Sequence, residues 1–413
     1  MEWKEVDICQ LCDSVSETYK GNASEVVLIN TSDVLDGKCL NHEYVPNKKL
    51  KGQFKKTFRK GDILYSEIRP ANKRFCFVDF EPKDYIASTK LMVLRAHEDV
   101  DPQYLYQILR SNDTLAQLQM LAESRSGTFP QITYSELSNI MVSLPSQKAQ
   151  KNIVSILSSL DRKIELNNKI NADLEEMAQA IFMNWFVDFE PFKDGKFVDS
   201  ELGMIPEGWK VISLNEILDN VSGYSYKGSE LQSSNIAMAT IKNFERKGGF
   251  KTEGYKEIVI SKKIKETQFV NMFDVLVAHT DLTQNAEIVG NPAIVLSKGG
   301  YEKLIMSMDL TKVISKIDGV TNGLLYCILS TSRFKEHALG YVNGTTVLHM
   351  SKKAVPEYTC AFPKDINQIR DLCITLDSIY KRMAVTYDEN SRLSLLRDTL
   401  LPRLMSGELE VSE

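Results

Sequence analysis

Between Lys38 and Arg74 the chain carries eleven basic residues: Lys38, Lys48, Lys49, Lys51, Lys55, Lys56, Arg59, Lys60, Arg69, Lys73 and Arg74. Only Glu43, Asp62 and Glu67 oppose them, a local excess of +8. A second stretch, Lys242 to Lys265, sets eight basic residues against Glu245, Glu253 and Glu257, an excess of +5. Tyr44, Phe54, Phe58, Phe244 and Tyr255 are interleaved. Clustered Lys and Arg suit phosphate, where they release counterions and position a nucleic-acid backbone, while base edges are read by a few Arg, Asn, Gln or Lys side chains. A charge run is ordinarily a solvated face. Both runs, however, lie just before a matched Asp-x-Leu segment, Asp62-Ile63-Leu64 and Asp274-Val275-Leu276. That recurrence favours a binding surface built from Lys48, Lys49, Lys51, Lys55, Lys56, Arg59, Arg69, Lys73 and Arg74 in one place and Lys242, Arg246, Lys247, Lys251, Lys262, Lys263 and Lys265 in the other.

Other chemistry finds no support. There is no Walker A loop, no Gly-x-Gly-x-x-Gly after a strand and no Gly-x-Ser-x-Gly elbow. His42, His97, His279, His337 and His349 lack metal-ligand spacing, and Cys9 with Cys12 has no second matching pair. Gly290-Asn291-Pro292-Ala293 reads as a turn. Neither a catalytic residue nor a metal ligand is expected, nor a cofactor held by this chain. The 413 residues are 43% hydrophobic and 25% charged, which excludes collagen-like, mucin-like and disordered chains. Lys plus Arg is 50 and Asp plus Glu is 55, so the net charge of −5 combines two locally basic stretches with an acidic remainder. The start Met1-Glu2-Trp3-Lys4-Glu5 does not read as a signal peptide, and no apolar run approaches 18 residues. The expected setting is a reducing cytoplasm, without a membrane.

The elements that must position these residues come in duplicate. Trp3-Lys4 recurs as Trp209-Lys210, Tyr19-Lys20-Gly21 as Tyr226-Lys227-Gly228, Tyr106-Gln107-Ile108-Leu109 as Tyr326-Cys327-Ile328-Leu329, and Leu160-Asp161 as Leu376-Asp377, all in order. The chain is two copies of one unit of about 206 residues. Ile63-Leu64-Tyr65 and Val275-Leu276-Val277 read as strands, Tyr104 to Leu109 and Leu324 to Leu329 as short helices. Each copy ends in a long helical pattern after Pro145 or Pro363. The expected segments are 1–145, 146–190, 191–363 and 364–413.

The two long helices carry rows at heptad-like spacing, as a coiled-coil seam requires. Paired antiparallel with partner numbers summing to 557, Asn167 faces Asn390 and Asn171 faces Thr386. Leu157 then meets Leu400, Ile164 meets Leu393, Leu174 meets Met383 and Ile181 meets Leu376, leaving Leu160 opposite Arg397 as the exception. A shift of one heptad would bury Asn167 against Met383. Helices of about 38 residues span roughly 57 Å, long enough to act as a spacer. The fold class expected is α+β: two duplicated α/β domains separated by two long antiparallel coiled-coil-like helices.

These residues resemble the specificity subunit of type I restriction-modification enzymes. The resemblance rests on Leu144-Pro145 through Gln150, on Ile181-Phe182-Met183-Asn184-Trp185-Phe186-Val187-Asp188-Phe189, and on Leu396 through Leu409. Pro206-Glu207-Gly208-Trp209 looks like the opening of a second recognition domain, and Gly127 to Ile132 like the loop before the central helix; its counterpart, Gly344-Thr345-Thr346-Val347-Leu348, lacks the Pro. The resemblance implies two target-recognition domains, each reading half of a bipartite site on double-stranded DNA. It implies two modification subunits that bind S-adenosylmethionine and methylate adenine, and restriction subunits, translocase and nuclease, that use ATP and Mg. This chain would be the non-catalytic specificity component, its helices setting the spacer. Phe182, Phe186 and Leu396, off the seam, are candidates for docking the modification subunits. Two other readings stay open: the specificity chain of a combined restriction-methylation enzyme, and a coiled-coil interaction scaffold with no DNA role.

Overall fold

The computed structural model describes residues 3–48, 52–124, 130–246, 248–283 and 285–411. Contacts divide the chain into two compact units, Met1–Lys163 with Leu393–Glu413, and Ile164–Arg392. The two long helices, Gln147–Phe186 and Arg370–Met405, each contribute residues to both. The class is α+β, as expected. Among the described residues no helix is long and apolar enough to cross a membrane.

The first unit packs two four-stranded sheets. One runs Cys12–Val15, Leu91–Ala96, Ile63–Ser66, Phe75–Phe77, all antiparallel. The other runs Val45–Pro46, Glu25–Ile29, Tyr85–Ser88, Phe54–Lys56, with its central pair parallel and Tyr85 opposite Val27. The Ile63–Ser66 strand is buried on both faces, and the period of two along a strand sorts its side chains. Ile63 and Tyr65 join Tyr104, Leu105 and Ile108 on the helical side. Leu64 joins Val27, Ile29 and Ala87 between the sheets. Each buried Val, Leu or Ile among them contributes roughly 1.5–3 kcal/mol relative to exposure. Helix Pro102–Arg110 starts at Asp101, whose carboxylate accepts from Gln103 N–H and Tyr104 N–H at 2.9 and 3.2 Å; helix Asn112–Glu123 starts at Ser111.

The second unit repeats this order. Leu218–Ser222, Leu310–Ser315, Val275–Ala278 and Pro292–Ile294 form one sheet. Lys256–Glu257, Ile236–Ala239, Lys303–Met306 and Phe269–Val270 form the other, again with a parallel centre, Ala237 opposite Leu304. Helices Asn322–Leu329 and Ser332–Leu339 start at Thr321 and Thr331. The Asp-x-Leu motif has a structural role in both units. Asp62 accepts from Arg59 N–H at 2.8 Å and pairs with Arg95; Asp274 accepts from Asn271 N–H at 2.9 Å and pairs with Lys312 at 3.1 Å. Gly290 and Asn291 close a loop, as expected, but Pro292 and Ala293 begin a strand, because Ala293 pairs with Leu276. In the same unit, Glu230 is buried; the Tyr224 and Ser261 hydroxyls and the Lys227 and Ser261 N–H groups donate to it, holding its carboxyl down to about 2.

Candidate nucleic-acid interface

Side chains, not strands, decide which cations face solvent. In the first unit Lys48, Lys55, Arg59, Arg69 and Lys73 are exposed. Lys56 is half-buried. Its Nζ donates to the carbonyls of Leu91 at 2.8 Å and Thr89 at 3.3 Å, and burial lowers its pKa. Arg74, also half-buried, donates to Ser32 O at 3.1 Å and Val34 O at 3.4 Å. Both are half-buried candidates whose head groups already find backbone acceptors within their own domain. Arg59 lies 4.0 Å from Asp62, whose carboxylate is already held by Arg95 through two bonds of 2.8 Å. Lys49 and Lys51 lie outside the described residues.

In the second unit Lys242, Lys262, Lys263 and Lys265 are exposed, and Lys262 donates to Ser225 O at 3.2 Å. Arg246 pairs with Glu287 at 3.4 Å and Lys251 with Glu245 at 3.9 Å, which reduces the free charge of that stretch. Lys247 lies outside the described residues. Sequence reasoning misses Lys335. Its Nζ donates to Val289 O at 2.6 Å, Asn291 Oδ1 at 2.7 Å and Ala286 O at 3.1 Å, so it pins the connection between two sheet strands from the helix beneath. Asp281 pins the same connection from within, accepting from Thr283, Ile288 and Val289 N–H groups. An isolated Lys and Asp carry no spacing signal that would have identified them.

The loop before each long helix takes an equivalent place in each unit. Gln131 bridges Ile68, and His349 pairs with Thr280. Gly127 to Phe129 lie outside the described residues. Gly344, at φ +119°, makes room where the second copy lacks the Pro: a Cβ there would meet Val347 O at 2.2 Å.

The helix rows can be followed inside each unit. In the first, Leu157 is buried with Leu401 and Leu404, Leu400 packs against the same core, and Arg397 Nη1 meets Asp161 at 2.9 Å while Arg110 meets the other oxygen at 2.8 Å. In the second, Asn167 Nδ2 donates to Asn390 Oδ1 at 2.9 Å and Asn390 Nδ2 to Asn168 Oδ1 at 2.8 Å. Asn171 and Thr386 are buried, with no bond recorded to the Asn171 amide among the described residues. Leu174 and Ile181 pack against the core holding Leu376 and Met383. Ile164 and Leu393 are half-buried.

Phe182 and Phe186 do not form an exposed docking face. They stack at 5.0 Å, and Phe186 meets the Trp209 ring edge-on at 5.1 Å inside the second core. The physical reason is proximity in chain: the strand that opens the second copy brings Trp209 back against the helix end. Leu396 is exposed.

A sequence profile described as the type I restriction modification DNA specificity domain matches residues 2–176. The type I restriction enzyme HindI specificity subunit of Haemophilus influenzae is 32% identical over 465 residues, covering 99% of this chain and 100% of that protein. The MjaIX specificity subunit of Methanocaldococcus jannaschii is 25% identical over 397 residues, covering 90% and 85%. The crystal structure of the S subunit of a type I restriction-modification system from M. genitalium shares the fold, with a TM-score of 0.54 at 16% identity over 100% of this chain and 97% of that one.

Proposed function

This chain belongs to the specificity subunits of type I restriction enzymes, and on that premise we propose that its two units each read one half of a bipartite site on duplex DNA. The observation that carries the reading is the duplication. The same sheet order occurs twice, each time with exposed lysines ahead of the same Asp-x-Leu strand. Lys55 and Arg59 in one copy, and Lys242, Lys263 and Lys265 in the other, contact phosphates and supply the salt-dependent share of affinity. The number of helical turns in the long helices sets the unread gap between the half-sites. The chain adds no catalytic group. Two modification subunits bring S-adenosylmethionine and methylate adenine; restriction subunits bring ATP, Mg and cleavage, all in the cytoplasm. Exposed helix positions such as Leu396 dock the modification subunits.

The test is binding of the full chain, assembled with modification subunits, to duplexes selected from a random pool. A split consensus and an affinity that falls steeply with salt are expected. Removing one heptad from both helices shortens the recognised gap. Binding that ignores sequence, or ignores salt, overturns the reading.

A further inference from the structure

The connection between strands Ile63–Ser66 and Phe75–Phe77 in the first unit has an unusual backbone. Arg69 and Lys73 both adopt left-handed conformations, φ +46° and +51°, on either side of the short turn Pro70–Asn72. L side chains rarely take this region, and glycine would occupy it with least strain. The turn is nonetheless tightly held through its backbone. Arg69 N–H donates to Pro130 O at 3.1 Å, Ala71 N–H to Gln119 Oε1 at 3.0 Å, and Lys73 O accepts from Asp36 N–H at 2.8 Å. Pro70 is buried, whereas Arg69, Asn72 and Lys73 are exposed. Lys73 borders a cleft containing Asp36 and Arg110. Strain that surrounding structure over-determines, at a position where the fold itself would accept glycine, points to a use for the side chains.

The second unit holds its equivalent connection just as firmly, through Asp281 and Lys335, but offers different groups. Leu282 is 66% exposed there, and Asn285 is exposed beyond it. A rigid connection at the same place in both copies, carrying unlike side chains, is what two readers of two different half-sites require.

We propose that the Arg69–Lys73 turn is the base-reading element of the first unit, with Arg69 taking a guanine O6/N7 edge and Asn72 an adenine N6/N7 edge in the major groove. This rests on the function proposed above. Lys55 and Lys60, by contrast, act on phosphates. Bidentate contacts of this kind discriminate by roughly 5- to 140-fold per base pair.

The test compares the sequences methylated by the full chain with its modification subunits, wild type against Arg69→Gly, Asn72→Ala and Lys55→Gln. Arg69→Gly relieves the backbone strain while removing the side chain, so the turn persists, and thermal melting checks each variant. Arg69→Gly and Asn72→Ala are expected to relax one position each in one half-site and leave the other half unchanged. Lys55→Gln is expected to weaken all targets alike and reduce the salt slope by about one. Unchanged target preference in both turn variants, with melting intact, overturns the assignment while leaving the functional reading in place. A wild-type complex without sequence preference overturns both.

Discussion

The Asn167–Asn390 pair gives a quantitative handle on how the two long helices recognise each other inside the second unit. Asn167 is 1% exposed and Asn390 8%. Asn167→Ala removes the 2.9 Å bond to Asn390 and the 2.8 Å bond to Glu389 Oε2. A neutral hydrogen bond contributes about 1 kcal/mol net, one to a charged group about 1.5–3, and an acceptor left buried without a donor costs about 1–3. Asn167→Ala, which loses one neutral bond and one to a carboxylate, is therefore expected to destabilise by about 2.5–4 kcal/mol. Asn390→Ala, which also loses the more exposed Asn168, is expected to cost about 2 kcal/mol. The double variant should lose about 1 kcal/mol less than the sum, since the shared bond is then removed only once. Replacing both by Leu should cost less than either alanine variant, because the buried pair is removed together and the acceptors that lose a donor, Glu389 and Asn168, are not buried. For a unit of this size each 1 kcal/mol moves Tm by roughly 2–4 °C, so thermal unfolding of the full chain resolves these differences. Register is tested in parallel: Asn167→Cys with Asn390→Cys should form a disulfide, and Asn167→Cys with Met383→Cys, one heptad away, should not. Additive single effects, within about 0.5 kcal/mol, or crosslinking of the shifted pair alone, would refute the reasoning.

Three further outcomes are expected. Asp62→Ala strands Arg95, which keeps its 3.1 Å contact to Glu17; breaking a buried pair costs about 3–5 kcal/mol, and since the Arg95 side chain is 20% exposed the melt should report about 2–4. Burial pushes the His279 imidazole down to about 4 from its ordinary 6.5. The unfolded chain therefore binds a proton that the folded one refuses, and stability should be full above pH 6.5 and fall by roughly 3 kcal/mol as pH drops toward 4; in His279→Leu, denaturation across that window should lose this slope. Gly344→Ala forces a Cβ against Val347 O, so a loss of about 1–3 kcal/mol and faster amide exchange at Leu348–Met350 are expected; wild-type exchange there would contradict the close approach.

Much of the architecture is legible in the residues because it rests on local periodicity. Ile63-Leu64-Tyr65 is a continuous apolar run, as a strand between two cores must be, Tyr104 to Leu109 has a capping Asp101 ahead of it, and repeated words such as Leu160-Asp161 and Leu376-Asp377 mark the duplication. The structure adds what those aspartates do, since Asp161 holds Arg110 and Asp377 accepts from Gly323 N–H at 3.3 Å. The basic stretches are also legible as charge. Which of their members face solvent is not, because Lys56 turns toward Thr89 and Leu91, and Arg74 toward Ser32 and Val34, partners more than 30 residues away.

The sequence by itself determines the two copies, their strands and helices, the polar positions in each helix row and the family. Those features depend on residue type and spacing along one chain segment. Only the tertiary structure decides that Phe182 and Phe186 are covered by Trp209, and that Arg69 and Asn72 stand on a strained turn pinned by Gln119 and Pro130. Exposure and backbone strain are set by what distant segments bring into contact, and no local pattern encodes that.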